Sequence, residues 1–431
     1  MGVTINSEMH CNKKYWLVLL PALGFLLLVI GCRQNISKTI ADGPVKDSVS
    51  TFIIDGSTER VSCSLENKGI EPVGFYITPA SADLFNWESI VHSVVNDSMT
   101  SEQKSIALWK FVCEWRYHDP DACSCDELHE PGIMFNAMEA GLCDDAAAVL
   151  AHLGANAGLN ARLYELGGHV VTEFNYNNHW HLFDADHEIY YRNTANEIAG
   201  VEDIQQHPEI FDLPQVESVH PQLANKGVKS ANKREILSKD DNYPRWAVDS
   251  ALPPYNSYLS LRQGDMISFN VEPETWFWKK WSADWRGGGG PYFKRNGYLE
   301  RNVRSAPYIF AESPYSITSV TIKSDRDSAV PLLKVYYSTD LAHWYFKGIV
   351  SSASSVTFNP RFISGKELVF KYYLKFVADD EAPGSYPLKV RNGFTFSDKL
   401  FFNNPSHSFK IKTLTGDHRN LKLHLVSEGS R

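Results

Sequence analysis

The stretch Gly141-Leu142-Cys143-Asp144-Asp145-Ala146-Ala147-Ala148 decides how this chain is read. Its alanines and the aliphatics after them predict a helix over 142–157, ended by Gly158 where left-handed backbone is needed. Cys143 then falls in the first helical turn, at the positive end of the helix dipole, where thiolate is favoured over thiol. Asp144 and Asp145 suit a helix start but oppose a thiolate, so a histidine partner is required to hold the charge. His169 opens the strand pattern His169-Val170-Val171-Thr172-Glu173-Phe174. The chain returns through Trp180-His181-Leu182-Phe183-Asp184 after an Asn177-Asn178 turn. On adjacent antiparallel strands, a His at the start of one can lie beside a carboxylate at the end of the next. An imidazole held by a carboxylate on one nitrogen can take a thiol proton with the other.

These residues carry a family resemblance. Gly-x-Cys-Asp opens a helix, Gly158-Leu159-Asn160-Ala161-Arg162 follows it, a His begins a strand, and Trp180 stands four residues before Asp184. Together they resemble the transglutaminase-like superfamily over residues 84–191. By matching motif positions, the resemblance implies Cys143 as nucleophile, His169 as base and Asp184 as the orienting carboxylate. It also implies a papain-like core. Two departures stand out. Val171 occupies a position where many members carry Trp, and Asp184-Ala185-Asp186 replaces Asp-Pro, which makes Asp186 a substitute for Asp184. The oxyanion donor stays open between the Cys143 backbone N–H and an upstream side chain, Trp115 or Tyr117. Taken singly, Cys143 reads as a buried helix residue or half of a disulfide, His169 as a strand residue and Asp184 as a turn acid. Their joint order on helix, strand and strand is what favours a triad. His179 and His181 stand two apart on one strand with no third ligand, so no metal is expected, and the thiol chemistry requires no cofactor.

Upstream, Lys13-Lys14 precede an apolar run over 15–30 that ends in Val29-Ile30-Gly31-Cys32. Gly-Cys at that boundary resembles the lipobox of bacterial lipoproteins. The resemblance implies loss of residues 1–31, acylation of Cys32 and membrane anchoring in the bacterial cell envelope, with the leaflet open. The alternative is a single transmembrane anchor, and both readings export the rest of the chain. The chain has 7 cysteines. Setting Cys11 and Cys32 aside leaves Cys63, Cys113, Cys123, Cys125 and Cys143, an odd set. Cys123-Ser124-Cys125 with Cys113 nearby suits a disulfide or half a zinc site, but a lone C-x-C lacks the second ligand pair. Cys143 is the thiol with a reason to be free.

The expected organisation is a signal peptide over 1–31, a tether with N-terminal strands over 32–80, a transglutaminase-like domain over 81–215, a linker over 216–254 and a β-sandwich over 255–431. The fold class expected is α+β, a transglutaminase-like core followed by an all-β sandwich. Within it, strand-like runs fall at 51–54 and 73–77, a helix at 86–95, and a capping box from Thr100 to Gln103 opens a helix to about Tyr117. Residues 34–50 read as a flexible spacer. A net charge of −9 provides no basic footprint for nucleic acid.

Trp276, Trp278 and Trp281 precede the glycine run 287–290 and form a candidate sugar- or peptide-binding platform, with core packing as the alternative. Val335-Tyr336-Tyr337-Ser338-Thr339-Asp340 followed by His343-Trp344 resembles sandwich modules that accompany carbohydrate-active proteins. The function expected is that of an exported lipoprotein performing thiol-dependent acyl transfer, as amide hydrolysis of a peptide or glycan-linked substrate. Its rival is a glycan- or peptide-binding surface lipoprotein on a non-catalytic transglutaminase-like scaffold. Polysaccharide cleavage with His169 as base is a third reading.

Overall fold

The computed structural model describes residues 37–53, 60–118, 125–138, 140–213, 228–238, 242–245, 255–271, 296–305, 308–325, 330–361, 368–378, 385–395 and 408–428. The signal segment, Cys32, Cys123, Trp276, Trp278 and Trp281 lie outside them.

The expectation of an α+β, papain-like fold is corrected by the structure. Among the described residues the protein is β-rich, with about 45% in strands against 25% in helices, and the sheets are antiparallel save for one two-stranded pair. The largest sheet runs β1 (Ser37–Pro44), β22 (Leu421–Glu428), β3 (Arg60–Asn67), β12 (Met266–Val271), β13 (Asn296–Arg304), β20 (Pro387–Thr395), β15 (Ser316–Ser324), β18 (Val356–Phe358). A second sheet orders β11 (Leu259–Leu261), β4 (Val73–Pro79), β21 (Ser408–Thr415) and β2 (Val49–Ile53). A third orders β14 (Ile309–Glu312), β19 (Lys371–Ala378), β16 (Leu333–Ser338) and β17 (Tyr345–Val350). Both ends of the chain therefore share sheets. The segment expected to be a tether belongs to the β unit of the C-terminal half, and the helical segment is inserted between its parts.

The physical reason lies in alternation. In β3, Val61, Cys63 and Leu65 are buried while Ser62, Ser64 and Glu66 are not, a period-two pattern that needs partners on both sides. Those partners are β22 and β12, which lie far away in sequence. β1 pairs with β22 from Ser37 to Pro44, so part of the presumed spacer is ladder.

The inserted segment holds the site. Helix α1 (Trp87–Val94) is capped by Asn86, and α2 (Ser101–Trp115) carries the full Thr100–Gln103 capping box. Short α3 (Pro131–Ile133) precedes α4 (Cys143–Asn156). Gly158 has φ +83°, the left-handed value that ends α4. A fourth sheet orders β10 (Tyr243–Arg245), β7 (Asn160–Leu166), β8 (His169–Tyr176) and β9 (His179–Phe183). Asn177 and Asn178, both at positive φ, make the two-residue turn between β8 and β9. Helix α4 packs on β7 and β8, with Phe174 against Gly154. One continuous core joins Leu108, Trp109 and Leu150 of the helices to Leu65, Phe75 and Ile267 of the β unit. β5 (Tyr117–His118) and β6 (Ala140–Gly141) form the parallel pair that leads into Cys143.

Glu130 sits where the insert meets the β unit. Its carboxylate caps α3 by accepting from the Ile133 N–H at 2.8 Å, and Gly132 lies against Tyr255, whose hydroxyl donates to the Pro314 carbonyl at 2.6 Å. Burial pushes the Glu130 carboxyl up to about 7, against backbone hydrogen bonds from Ile133, Gly132 and Tyr255 that pull it down. Because the folded value is raised, the contribution to stability is complete below the unfolded value and is lost as pH climbs through about 7. Urea midpoints of Glu130→Gln minus wild type are expected to be more positive at pH 8 than at pH 5. An equal difference at both would remove the titration from this interface.

Candidate active site

The site assembles from three elements. Cys143 is the first residue of α4, free of any disulfide and partly exposed, packed beside Ala147, Ala148 and Val170. Asp145 fixes the helix start by accepting from the Leu142 N–H at 2.8 Å. His169 begins β8 just after the Gly167-Gly168 turn, where Gly168 has φ +89°. Its Nε2 lies 2.8 Å from Asp184 Oδ2, which leaves Nδ1 for the thiol of Cys143, one of the groups that raise the imidazole's pKa. The structure thus brings together the three side chains read from the sequence.

Asp184 is fully buried and saturated. Oδ1 accepts from the N–H groups of Asp186 at 3.1 Å and His187 at 2.8 Å, and Oδ2 meets both His169 and His187. Burial alone would raise its carboxyl, but His169 and His187 outweigh that and hold it well below the usual range. Burial likewise opposes charge on His169. The field and hydrogen bond of Asp184, with the bond to Cys143, win and hold the imidazole well above its ordinary value. An ionised Asp184 behind a protonated His169 is the arrangement that stabilises a thiolate.

Helix α2 supplies the backing. Trp109, Cys113 and Arg116 recur along one stripe. The Trp109 indole donates to the Asp184 carbonyl at 2.9 Å, and the Cys113 thiol donates to the Ala185 carbonyl at 3.6 Å. Arg116 donates to the Gly141 carbonyl at 3.0 Å and pairs with Asp186 at 2.6 Å, with both side chains buried. One guanidinium therefore ties the segment before Cys143 to the loop after Asp184. The reading of Asp186 as a substitute for Asp184 does not hold geometrically, since Arg116 and His118 occupy it. Cys113 is free, and burial pushes its thiol up. Cys125 is disulfide-bonded. Trp115 is buried and stacks on Phe111, which places its ring in the core; the Tyr117 side chain lies outside the described residues. Val171 is buried against Tyr164 and Leu182.

His187 escaped sequence reasoning. Its ring stacks on His169 with centroids 4.2 Å apart and planes 21° off parallel, and its Nδ1 lies 3.2 Å from Asp184 Oδ2. Its position three after Asp184 was the one signal the sequence offered. Burial opposes charge on His187, but Asp184 holds its imidazole above the ordinary value, with His169 pulling the other way. Two imidazoles share one carboxylate, and like charges on them repel. Removing one frees the other to keep its proton, so His187→Gln is expected to move the alkaline limb of kcat/KM to higher pH. A pH profile superimposable on wild type would remove His187 from the proton balance.

Among the described residues, two groups of side chains bring metal-ligating atoms within 4.8 Å of one another, His169–His187–Glu235 and His129–Asp144–Asp145. In the first, His169 Nε2 and His187 Nδ1 already lie 2.8 and 3.2 Å from Asp184 Oδ2. In the second, His129 Nε2 already lies 3.4 Å from Asp145 Oδ1. His179 pairs with Asp203 at 2.6 Å, while buried His181 contacts the Ile198 and Tyr176 carbonyls, so these two are not joined as ligands. No protein-family model matches the chain, and no curated protein matches it significantly.

Proposed function

We propose that this protein is a thiol-dependent acyl-transfer enzyme that hydrolyses an amide, working through a site of transglutaminase-like type. The observation that supports it best is the 2.8 Å contact of His169 Nε2 with the buried Asp184 carboxylate, with the Cys143 thiol among the groups that hold the imidazole above its ordinary value. The thiol proton passes to His169 Nδ1 and the sulfur attacks the substrate carbonyl carbon. As the C–N bond breaks, His169 returns the proton to the leaving amine. Water, deprotonated by His169, then attacks the thioester, and the acid leaves as the thiol re-forms. The Cys143 backbone N–H has no acceptor four residues earlier within its helix and suits the developing oxyanion. The substrate class that fits is an amide of a peptide or of a glycan-linked peptide. Lipid anchoring at Cys32 would hold the enzyme at the membrane of the cell envelope.

Alkylation kinetics test this reading. Among the described free cysteines Cys63 and Cys113 are buried, so iodoacetamide should react at Cys143 before either of them. At pH 6 the rate is expected to fall at least about tenfold in His169→Gln, because the imidazolium that holds the thiolate is gone. Equal rates in the two proteins would dissolve the thiol–imidazole pair.

A further inference from the structure

We propose that the outer face of the sheet β14-β19-β16-β17 binds a carboxylate-bearing polysaccharide, a function independent of the thiol site. In this sheet Leu333, Val335, Tyr337, Tyr372 and Leu374 turn inward to a core shared with β15 and β20. Period-two alternation therefore sends Tyr336, Tyr373 and Lys375 outward. The register sets Phe310 opposite Tyr373, and Tyr336 opposite both Phe346 and Lys375. Rings thus cross all four strands, a span of about 14 Å at ordinary strand spacing, long enough for an oligosaccharide.

These rings are exposed where a sheet packed on one side would carry polar groups. Tyr308 is 56% exposed, Phe346 53% and Phe310 45%. They are ordered among themselves: Tyr308 stacks on Trp344 at 5.6 Å, Phe310 meets Tyr373 at 5.2 Å and Tyr336 meets Phe346 at 5.6 Å. Lysines lie between them. The Lys375 ammonium stands 4.5 Å from the Trp344 ring centre and 5.3 Å from that of Tyr336. Lys371 and Lys375 point outward on these strands, and Glu312 faces Lys371 in register. In a chain of net charge −9, a lysine therefore stands at the centre of this aromatic face.

The occupant follows from where the charge sits. A bilayer-inserting face keeps its cations at the rim, whereas Lys375 is central and would have to enter the acyl region. A second copy would set lysine against lysine across a two-fold axis. A polymer of sugar acids lays apolar ring faces on aromatic side chains and brings its carboxylates to the ammonium groups.

The full chain in detergent micelles should retard on affinity gels containing polygalacturonate, alginate or hyaluronan, and not on neutral dextran. Lys375→Gln and Phe346→Ala, both surface changes with melting points near wild type, should each weaken the retained case at least tenfold, and added salt should weaken it further. Cys143→Ala should bind as wild type does. Binding to none of the three acids, equal binding to dextran, wild-type retention of both surface variants, or binding to phosphatidylglycerol vesicles alone would overturn the assignment.

Discussion

Cys143→Ala is expected to lower amide turnover by about 10³-fold or more while leaving the urea midpoint close to wild type. The size follows from the chemistry. Without sulfur there is no thioester, and the remaining groups can only orient a water. The small structural effect follows from position. Cys143 is a partly exposed first-turn residue whose neighbours are the small side chains of Ala147 and Ala148, and alanine at a helix start is well tolerated. A variant that kept more than about a tenth of the wild-type rate would place the nucleophile elsewhere.

Arg116→Met is expected to destabilise the fold by about 3 kcal/mol, the low end of what removing one partner of a buried ion pair costs. Asp186 is buried, and the field of Arg116 outweighs its desolvation and holds the carboxyl well below the usual range. Without the guanidinium that charge keeps His118, whose side chain is 38% exposed, and the weaker field of His169. Because the Asp186 value is depressed in the fold, its contribution is present above the unfolded carboxylate value and lost as pH falls through the folded one. The deficit of Arg116→Met should therefore shrink in acid. Asp186→Asn added to Arg116→Met should recover much of the loss, since no buried charge is then left unpaired. Turnover should fall as well, because Arg116 also fixes the Gly141 carbonyl two residues before the thiol. A double variant no more stable than Arg116→Met, or a loss below about 1 kcal/mol, would count against the clamp.

Local signals were legible where local chemistry decides structure. Thr100 and Gln103 announce a helix start because each satisfies the other's orphan donor. Asn177-Asn178 announces a hairpin because both residues tolerate positive φ. The placing of Cys143, His169 and Asp184 was legible for the same reason, since they stand at the ends of elements that short-range patterns define. What escaped depends on pairing across the whole chain. Nothing near Arg60–Asn67 tells that it will lie between Leu421–Glu428 and Met266–Val271, and this pairing turns a presumed tether and a separate sandwich into one β unit. Arg116 and His187 escaped for a related reason. On a helix end and in a turn they look like surface residues, and only the approach of α2 to the Asp184 loop buries them.

The account turns on whether an acyl group passes through the Cys143 sulfur. A rapid-quench reaction with an activated acyl anilide, read by intact mass and peptide mapping, measures this directly. The predicted result is a transient mass increase of one acyl group on the peptide containing Cys143, absent from Cys143→Ala. Turnover with no adduct at any time point, or an adduct on a different residue, would contradict it.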